Sequence, residues 1–348
     1  MRQIHSYNTP HCIKMDYKPH IIDALTVMMN KEKSAPGGHF KARAYDKVIK
    51  QLAAFKGTIQ SMKDVAAIDG IGEKIHAKIV EILETGQLAA AERIKNDPVA
   101  IALDTLTKVH GIGPIKAAEL INTYGIYTVE ALRKRKDLGK LLNDVQRKGL
   151  LYYECFLERI PRAEMEKHES IILATITEHF GLEASIAGSY RRGTETSGDI
   201  DVIVKLPDNG FRDKEVLEAI CDHLTKKKYI IETFALGSKK YMGASCIPNG
   251  TPRRLDIMVT TEETYPYALF YFTGSDKFNI AFRNMAIEKG YSLNEYSFTK
   301  LVDDVSNIPR IRTEQDIFKF LRIQYIAPCD RIDQGSIKPV RVLRIIRS

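Results

Sequence analysis

The chain has little that would staple or anchor it. It holds five cysteines in 348 residues, scattered at Cys12, Cys155, Cys221, Cys246 and Cys329 with no CxxC pair. That argues against a disulfide framework or a cysteine zinc site, and it fits a reducing compartment. No apolar run is long enough to span a bilayer, so no membrane partner is expected. The first fourteen residues contain Arg2, His5, His11 and Lys14 and no acid. They fit either a short targeting leader or an ordinary disordered start before Asp16, and the second reading is preferred. Acids are also scarce overall, 44 Asp and Glu against 52 Lys and Arg, for a net charge of +8. A pI of about 9.0 favours an anionic partner such as nucleic acid, although charge is silent about fold. Apolar content of 44% and charged content of 28% are those of an ordinary globular chain. The length allows two or three domains, each with its own core.

Residues 16 to about 155 read as helical, with apolar residues at helical spacing and Gly or Pro between the runs. Two stretches look alike. Ile68-Asp69-Gly70-Ile71-Gly72-Glu73-Lys74 and Val109-His110-Gly111-Ile112-Gly113-Pro114 each make a glycine turn that opens a helix. Pro114 suits a first helical position. A helix N-terminus offers unpaired N–H groups and positive partial charge, and glycines let a backbone approach a phosphodiester closely. Gly70, Gly72, Gly111 and Gly113 therefore read as two helix–hairpin–helix elements that grip a DNA backbone without reading its sequence. Carbonyls in such turns can also hold Na+ or K+, from Ala66, Ile68 and Ile71 in the first and Thr107, Val109 and Ile112 in the second. Lys74 and Lys78 share one helical face. They are either two solvated lysines or a phosphate ligand beside an amine nucleophile, whose lone pair a neighbouring cation would free for Schiff-base chemistry.

Past Ile160-Pro161 the pattern turns mixed. A helix is expected near 163–180, strands over 184–187, 200–206, 229–236 and 255–260, and a helix over about 275–289. The stretch Gly188-Ser189-Tyr190-Arg191-Arg192-Gly193 reads as a phosphate-holding loop, with backbone N–H groups, a hydroxyl and guanidinium groups for a triphosphate. It leads to Asp199 and Asp201, which share one side of a strand, while Ile200, Val202 and Val204 point into a core. Asp256 alternates in the same way in a later strand and adds a third carboxylate if the two strands are neighbours. Three acids so placed suit magnesium, and two such ions can activate a hydroxyl and stabilise a leaving oxygen.

These residues carry a resemblance. The GSYRRG…SGDID run, with YFTGSD at 271–276, Asn279, Arg283 and NEY at 294–296, resembles the nucleotidyltransferase signature of the family X DNA polymerases, most closely the beta type. The resemblance covers roughly residues 39–330. It implies a multidomain α plus α/β fold. The expected parts are an N-terminal extension (1–15), a helical 5′-deoxyribose-phosphate lyase domain with the first hairpin (16–96), a DNA-binding thumb-like subdomain with the second (97–155), a catalytic palm (156–262), a nascent-base-pair subdomain (263–335) and a basic tail (336–348). Asp199 and Asp201 would hold two Mg2+ ions, with Mn2+ as substitute. Asp256 would hold the catalytic ion and help deprotonate the primer 3′-hydroxyl. Arg147, Ser189, Arg192 and Gly198 would bind the triphosphate. Tyr271, Phe272 and Gly274 would line the sugar pocket, with a cis Gly274–Ser275 peptide. Asp276 and Asn279 would meet the incoming base. Lys74, Arg254, Arg283 and Tyr296 would touch DNA, and Lys78 would be the Schiff-base lysine. On the 275–289 helix Phe278, Ala281, Phe282 and Met285 form an apolar stripe, leaving Asp276, Asn279 and Arg283 on the opposite face.

The chain also departs from the beta type. Lysines or a tyrosine of the lyase pocket are replaced at Gly38, Ala42, Ala66 and Ala90, with Lys41, Arg43 or Lys63 as candidate substitutes. An arginine that can pair with the second metal-binding aspartate is replaced by Met258. The implied activity is template-directed filling of short gaps in double-stranded DNA from dNTPs, as in base excision repair. The enzyme would be monomeric and lack a proofreading exonuclease, and would work in a DNA-holding compartment such as a nucleus or viral factory. The alternatives are nucleotidyl transfer to another acceptor, a polymerase without lyase activity, and a non-enzymatic gap-binding scaffold.

Overall fold

The computed structural model describes residues 15–34, 37–207, 213–303 and 306–338. The expected N-terminal extension and basic tail therefore lie almost wholly outside the described residues. The chain divides into two units, Met1–Thr107 with Ile112–Lys134, and Lys108–Gly111 with Arg135–Ser348. No helix among the described residues is long and apolar enough to cross a membrane.

The first unit is helical: α1 (Lys18–Ser34), α2 (His39–Ala54), α3 (Glu73–Thr85), α4 (Ala89–Lys95), α5 (Pro98–Thr107), α6 (Pro114–Tyr124) and α7 (Val129–Arg133). Helical spacing decides what is buried. Tyr45, Val48 and Leu52 of α2 and Ile75, Ile79 and Ile82 of α3 pack with Ile21 and Leu25 of α1. Asp16 fixes the entry to α1, because its Oδ1 accepts from the N–H groups of Lys18 (3.0 Å) and Ile59 (2.8 Å). The bond from Ile59 is the main cause that holds its carboxyl below the usual range. Glycine at the helix C-caps does what its backbone freedom allows, since Gly86 after α3 has φ +82°. The expected break at residues 96–97 lies inside the first unit. Pro98 starts α5 only three residues after α4, and the two helices remain in contact.

The second unit begins with α8 (Leu138–Leu141), α9 (Asp144–Leu151) and α10 (Tyr153–Leu157). A short ribbon of β1 (Ile160–Pro161) and β3 (Thr196–Ser197) encloses α11 (Arg162–Leu173), β2 (Glu183–Ile186) and α12 (Gly188–Arg191) in sequence. The expected 163–180 helix is thus α11 followed by a π-helical turn over Ala174–His179. The stretch read as a phosphate-holding loop opens with a helical turn, α12. Then come β4 (Ile200–Leu206), α13 (Asp213–Lys226), β5 (Ile230–Leu236), β6 (Lys240–Ser245) and β7 (Arg253–Thr261). The five-stranded sheet has the order β2-β4-β7-β6-β5; β4 and β7 are parallel and the other pairs antiparallel. Ile200, Val202 and Val204 enter the main core, as their alternation predicts. Ile203 enters a second cluster with Met258 and Ala268, so β4 is covered on both faces, as a parallel pair requires.

The last module carries α14 (Tyr265–Thr273), α15 (Asp276–Glu288), a hairpin of β8 (Tyr291–Leu293) and β9 (Phe298–Lys300), and α16 (Glu314–Phe320). The predicted stripe on α15 is buried at Phe278, Ala281 and Phe282, joined by Ala286. Its core is aromatic, with Phe270, Phe278, Phe282 and Phe318 in mutual contact. The Arg331 guanidinium lies buried over three of these rings.

Candidate active site

Three carboxylates meet at one end of the parallel strands. Asp201 of β4 is the direct register partner of Asp256 of β7, and Asp199 stands just before β4. One carboxylate oxygen from each lies within 4.8 Å of the others. The condition left open by the sequence, that the two strands be neighbours, is met. Burial, then the charges of Asp199 and Asp256, push the Asp201 carboxyl well above its ordinary range. Burial also raises Asp256, against the pull of Arg254. Acids this close repel one another, and a bound divalent cation is the group that relieves them, so the donor set fits a hard, oxygen-ligated metal.

Arg254 sits in this cluster. Its Nη2 is 3.1 Å from Asp256 Oδ2 and 3.4 Å from Asp199 Oδ2. A residue expected to touch DNA thus faces the acids. Met258, four residues on, is buried against Ile203. Gly188 closes the other side. With φ +59°, its Cα faces the Asp201 carboxylate so closely that a Cβ would overlap Oδ2 and lie 3.4 Å from Cγ.

The nucleotide-side candidates cluster nearby. Ser189 follows Gly188 on α12. Arg192 caps that helix, and its Nη1 donates to the Thr273 carbonyl at 2.6 Å, which ties the signature to the YFTGSD turn. Burial lowers the Arg192 pKa, opposed by Asp276, Asp201 and Asp199. Gly274 has φ +67°, and the Gly274–Ser275 peptide is cis, as the resemblance implies. Gly198 passes close to Arg159, whose Nη1 would lie 3.1 Å from an added Cβ. Tyr271 and Phe272 meet edge to face at 5.4 Å. Asp276 and Arg283 are exposed on α15. Asn279, expected free on that face, is instead buried: its amide donates to the Tyr271 carbonyl at 2.6 Å, and Oδ1 has no partner among the described residues. Arg147 pairs with Asp144 at 3.2 Å rather than with the signature.

Sequence reasoning missed two charged arrangements, because their partners are distant in the chain. Arg191 donates to both oxygens of the buried Glu314, at 3.0 Å to Oε1, and Arg331 donates to Oε1 at 2.7 Å. Lys240, the register partner of Met258, reaches Glu295 at 3.0 Å and lies over the rings of Phe272 and Tyr296. Tyr296 thus packs over the face of the sheet, against the cluster of Ile203, Met258 and Ala268. Nothing in the sequence signalled either one.

In the first unit, Gly72 caps α3 and Gly70 has φ +90°. The second turn repeats this with Gly113 capping α6, Pro114 at its start and Gly111 at φ +84°. The division between the two units falls inside this second turn, at Ile112. In the first turn the carbonyls of Ala66, Ile68 and Ile71 accept no backbone hydrogen bond among the described residues, as cation-binding carbonyls must be free to do. Lys74 is exposed and Lys78 half-buried on α3, and Lys78 Nζ donates to the Lys74 carbonyl at 3.1 Å. Of the candidate substitutes, Lys41 pairs with Glu32 at 3.4 Å. Lys47, which the sequence did not single out, lies against Gly70 and pairs with Asp69 at 2.7 Å.

Four family matches cover these parts in order. Residues 16–88 match a helix-hairpin-helix domain, 104–157 the fingers domain of DNA polymerase lambda, 159–262 the DNA polymerase beta palm and 268–332 the DNA polymerase beta thumb. The chain belongs to the family X DNA polymerases. The match names differ from the expected ones, since the thumb-like segment corresponds to the fingers domain and the nascent-pair segment to the thumb. DNA polymerase lambda of Rattus norvegicus is 30% identical over 334 residues, 91% of this chain and 56% of that protein. DNA polymerase lambda of Arabidopsis thaliana is 28% identical, over 85% of this chain and 59% of that protein. DNA nucleotidylexotransferase of Gallus gallus is 26% identical, over 78% and 59%. This family X chain thus spans little more than half the length of those relatives.

Proposed function

We propose that the chain is a template-directed DNA polymerase that fills short gaps by two-metal nucleotidyl transfer, with a lyase function on α3. The observation that carries the reading is the register pairing of Asp201 with Asp256 beside Asp199, under a helical turn that presents Ser189 and Arg192. Two magnesium ions, with manganese as substitute, would be held by Asp199 and Asp201, one of them also by Asp256, and would supply charge neutralisation for the attacking and leaving oxygens.

The protein's own groups do the rest. Asp256, made more basic by burial, accepts the proton of the primer 3′-hydroxyl. The 3′-oxygen bonds the α-phosphorus, the bond to the bridging oxygen breaks, and pyrophosphate leaves. Ser189 and Arg192 bind the triphosphate, and Arg192 exchanges the Thr273 carbonyl for a phosphate oxygen. Arg147 joins them by leaving Asp144. Tyr271, Phe272 and Gly274 receive the sugar, Asp276 and Asn279 the base, and Arg283 the template. Arg254 moves from the acids to the primer backbone as the site fills. The hairpins hold DNA phosphates, with Na+ or K+ on their free carbonyls. Lys78 forms an imine with the 5′-deoxyribose phosphate, β-elimination releases the strand, and Lys74 binds the phosphate. The protein works as a monomer in a DNA-holding intracellular compartment.

The test is insertion opposite each of the four template bases in a one-nucleotide gap. Insertion of the complementary nucleotide alone supports the reading. Insertion that ignores the template turns it toward untemplated transfer, and no insertion toward a gap-binding scaffold.

A further inference from the structure

A cavity of about 640 Å³ lies in the last module, lined by none of the palm acids. Lys289, Arg310, Lys319 and Arg322 line it, with Tyr291 and Phe320 between them. All four cations are exposed, and the charge of Lys319 acts on Asp316. Asp316 is the one acid in the described lining. Its Oδ2 is already engaged, accepting from the N–H groups of Arg312 and Thr313 and from the Thr313 hydroxyl at 3.0 Å each.

A plainer reading is that cations gather wherever helices end, because C-terminal carbonyls attract them. It accounts for Lys289 after α15 and for Lys319 in the last turn of α16. It does not account for Arg310, which precedes α16 and ends no helix. Arg322 follows the end of α16 at φ +53°, a left-handed position that ordinarily goes to glycine after a helix, so the helix-end reading covers it as well. Arg310 is thus the cation that helix ends leave unexplained, and it lines the same groove as the other three.

We infer that this groove binds the sugar–phosphate backbone of the template strand beyond the active site. A groove lined by four exposed cations, with the half-buried ring of Phe320 among them, has the chemistry that holds a single-stranded nucleic-acid backbone. Lys289 lies six residues past Arg283, about 9 Å further along the same helix axis. The two residues stand about a third of a turn apart around that axis, so a template strand that contacts Arg283 wraps over the end of α15 to reach the groove. The inference rests on the polymerase reading for Arg283 alone.

The test measures binding of the full chain to primer–template DNA with a short or a long 5′ template overhang, of about one or ten nucleotides, across a salt series. Each single-strand phosphate contact steepens the log–log salt slope by about 0.7. The wild-type slope should be steeper on the long overhang by about 2 to 3. The K319A/R322A variant should lose about 1.4 of that difference, keep the wild-type slope on the short overhang, and still insert the complementary nucleotide in a one-nucleotide gap. Equal wild-type slopes on the two DNAs would overturn the inference. So would a variant that weakens both DNAs alike, or one whose long-overhang slope is unmoved, the result expected if the groove serves an acidic protein segment. Loss of templated insertion by the wild type would instead count against the polymerase reading, since the slopes depend on binding alone.

Discussion

Gly188→Ala is the substitution that separates the geometry of the acids from the stability of the fold. At φ +59° an alanine pays the left-handed penalty of about 1–2 kcal/mol. For a unit of this size that lowers Tm by roughly 2–8 °C. Its Cβ would also overlap Asp201 Oδ2. Asp201 is deeply buried and register-paired with Asp256, so the carboxylate must turn aside by roughly 1 Å to restore contact distance, and a displacement of that size costs about 100-fold in rate. Gly193→Ala is the control. Its φ is +77°, and a Cβ there meets nothing within 4 Å, so it carries the same backbone penalty without touching the acids. The assay is steady-state insertion into a one-nucleotide gap, with Tm measured on both variants. The expected result is similar Tm shifts and kcat/KM lower in Gly188→Ala by about two orders of magnitude. Equal kcat/KM in the two variants would refute the argument that Gly188 is glycine for the sake of Asp201.

Glu314→Gln leaves the Arg191 and Arg331 guanidiniums without their counter-charge, Arg331 in the core; breaking a buried pair costs about 3–5 kcal/mol, readable by denaturant unfolding. Arg254→Ala removes the cation that lowers the Asp256 pKa, so the acid limb of the pH–rate profile should move to higher pH. Burial lowers the His168 pKa below 6.5, so the unfolded chain takes up that proton first. The stability tied to this group is fully present above pH 6.5 and is lost as pH falls toward the folded value. His168→Phe should flatten that part of the stability–pH curve. Lys78→Ala should abolish borohydride trapping of a 5′-deoxyribose-phosphate substrate while templated insertion persists; trapping that survives would point to another lysine.

What the sequence made legible was local. Asp199, Asp201 and the alternation of Ile200, Val202 and Val204 fall within six residues, and a strand's period of two places them without further information. The glycine turns before α3 and α6 were legible for the same reason, since a left-handed φ and a helix start each leave a short mark. Pairings across long spans were not. Arg191 and Glu314 are 123 positions apart, and Lys240 and Glu295 are 55 apart; composition cannot join them. β6 was hidden because Gly243 interrupts it. That glycine is required where a Cβ would run into the Tyr241 ring and the Glu232 carbonyl, so a packing constraint looks like a strand breaker. The burial of Asn279 was not legible, because a polar residue on a helix's polar face is expected to be free, and its bond to the Tyr271 carbonyl depends on how α14 docks.

The central claim is that Asp199, Asp201 and Asp256 carry the chemistry and only secondarily shape the fold. Its most direct test compares Asp256→Ala with the wild type for gapped-DNA affinity and for magnesium-dependent extension. The account predicts unchanged DNA binding with extension abolished. Extension at the wild-type rate would contradict it.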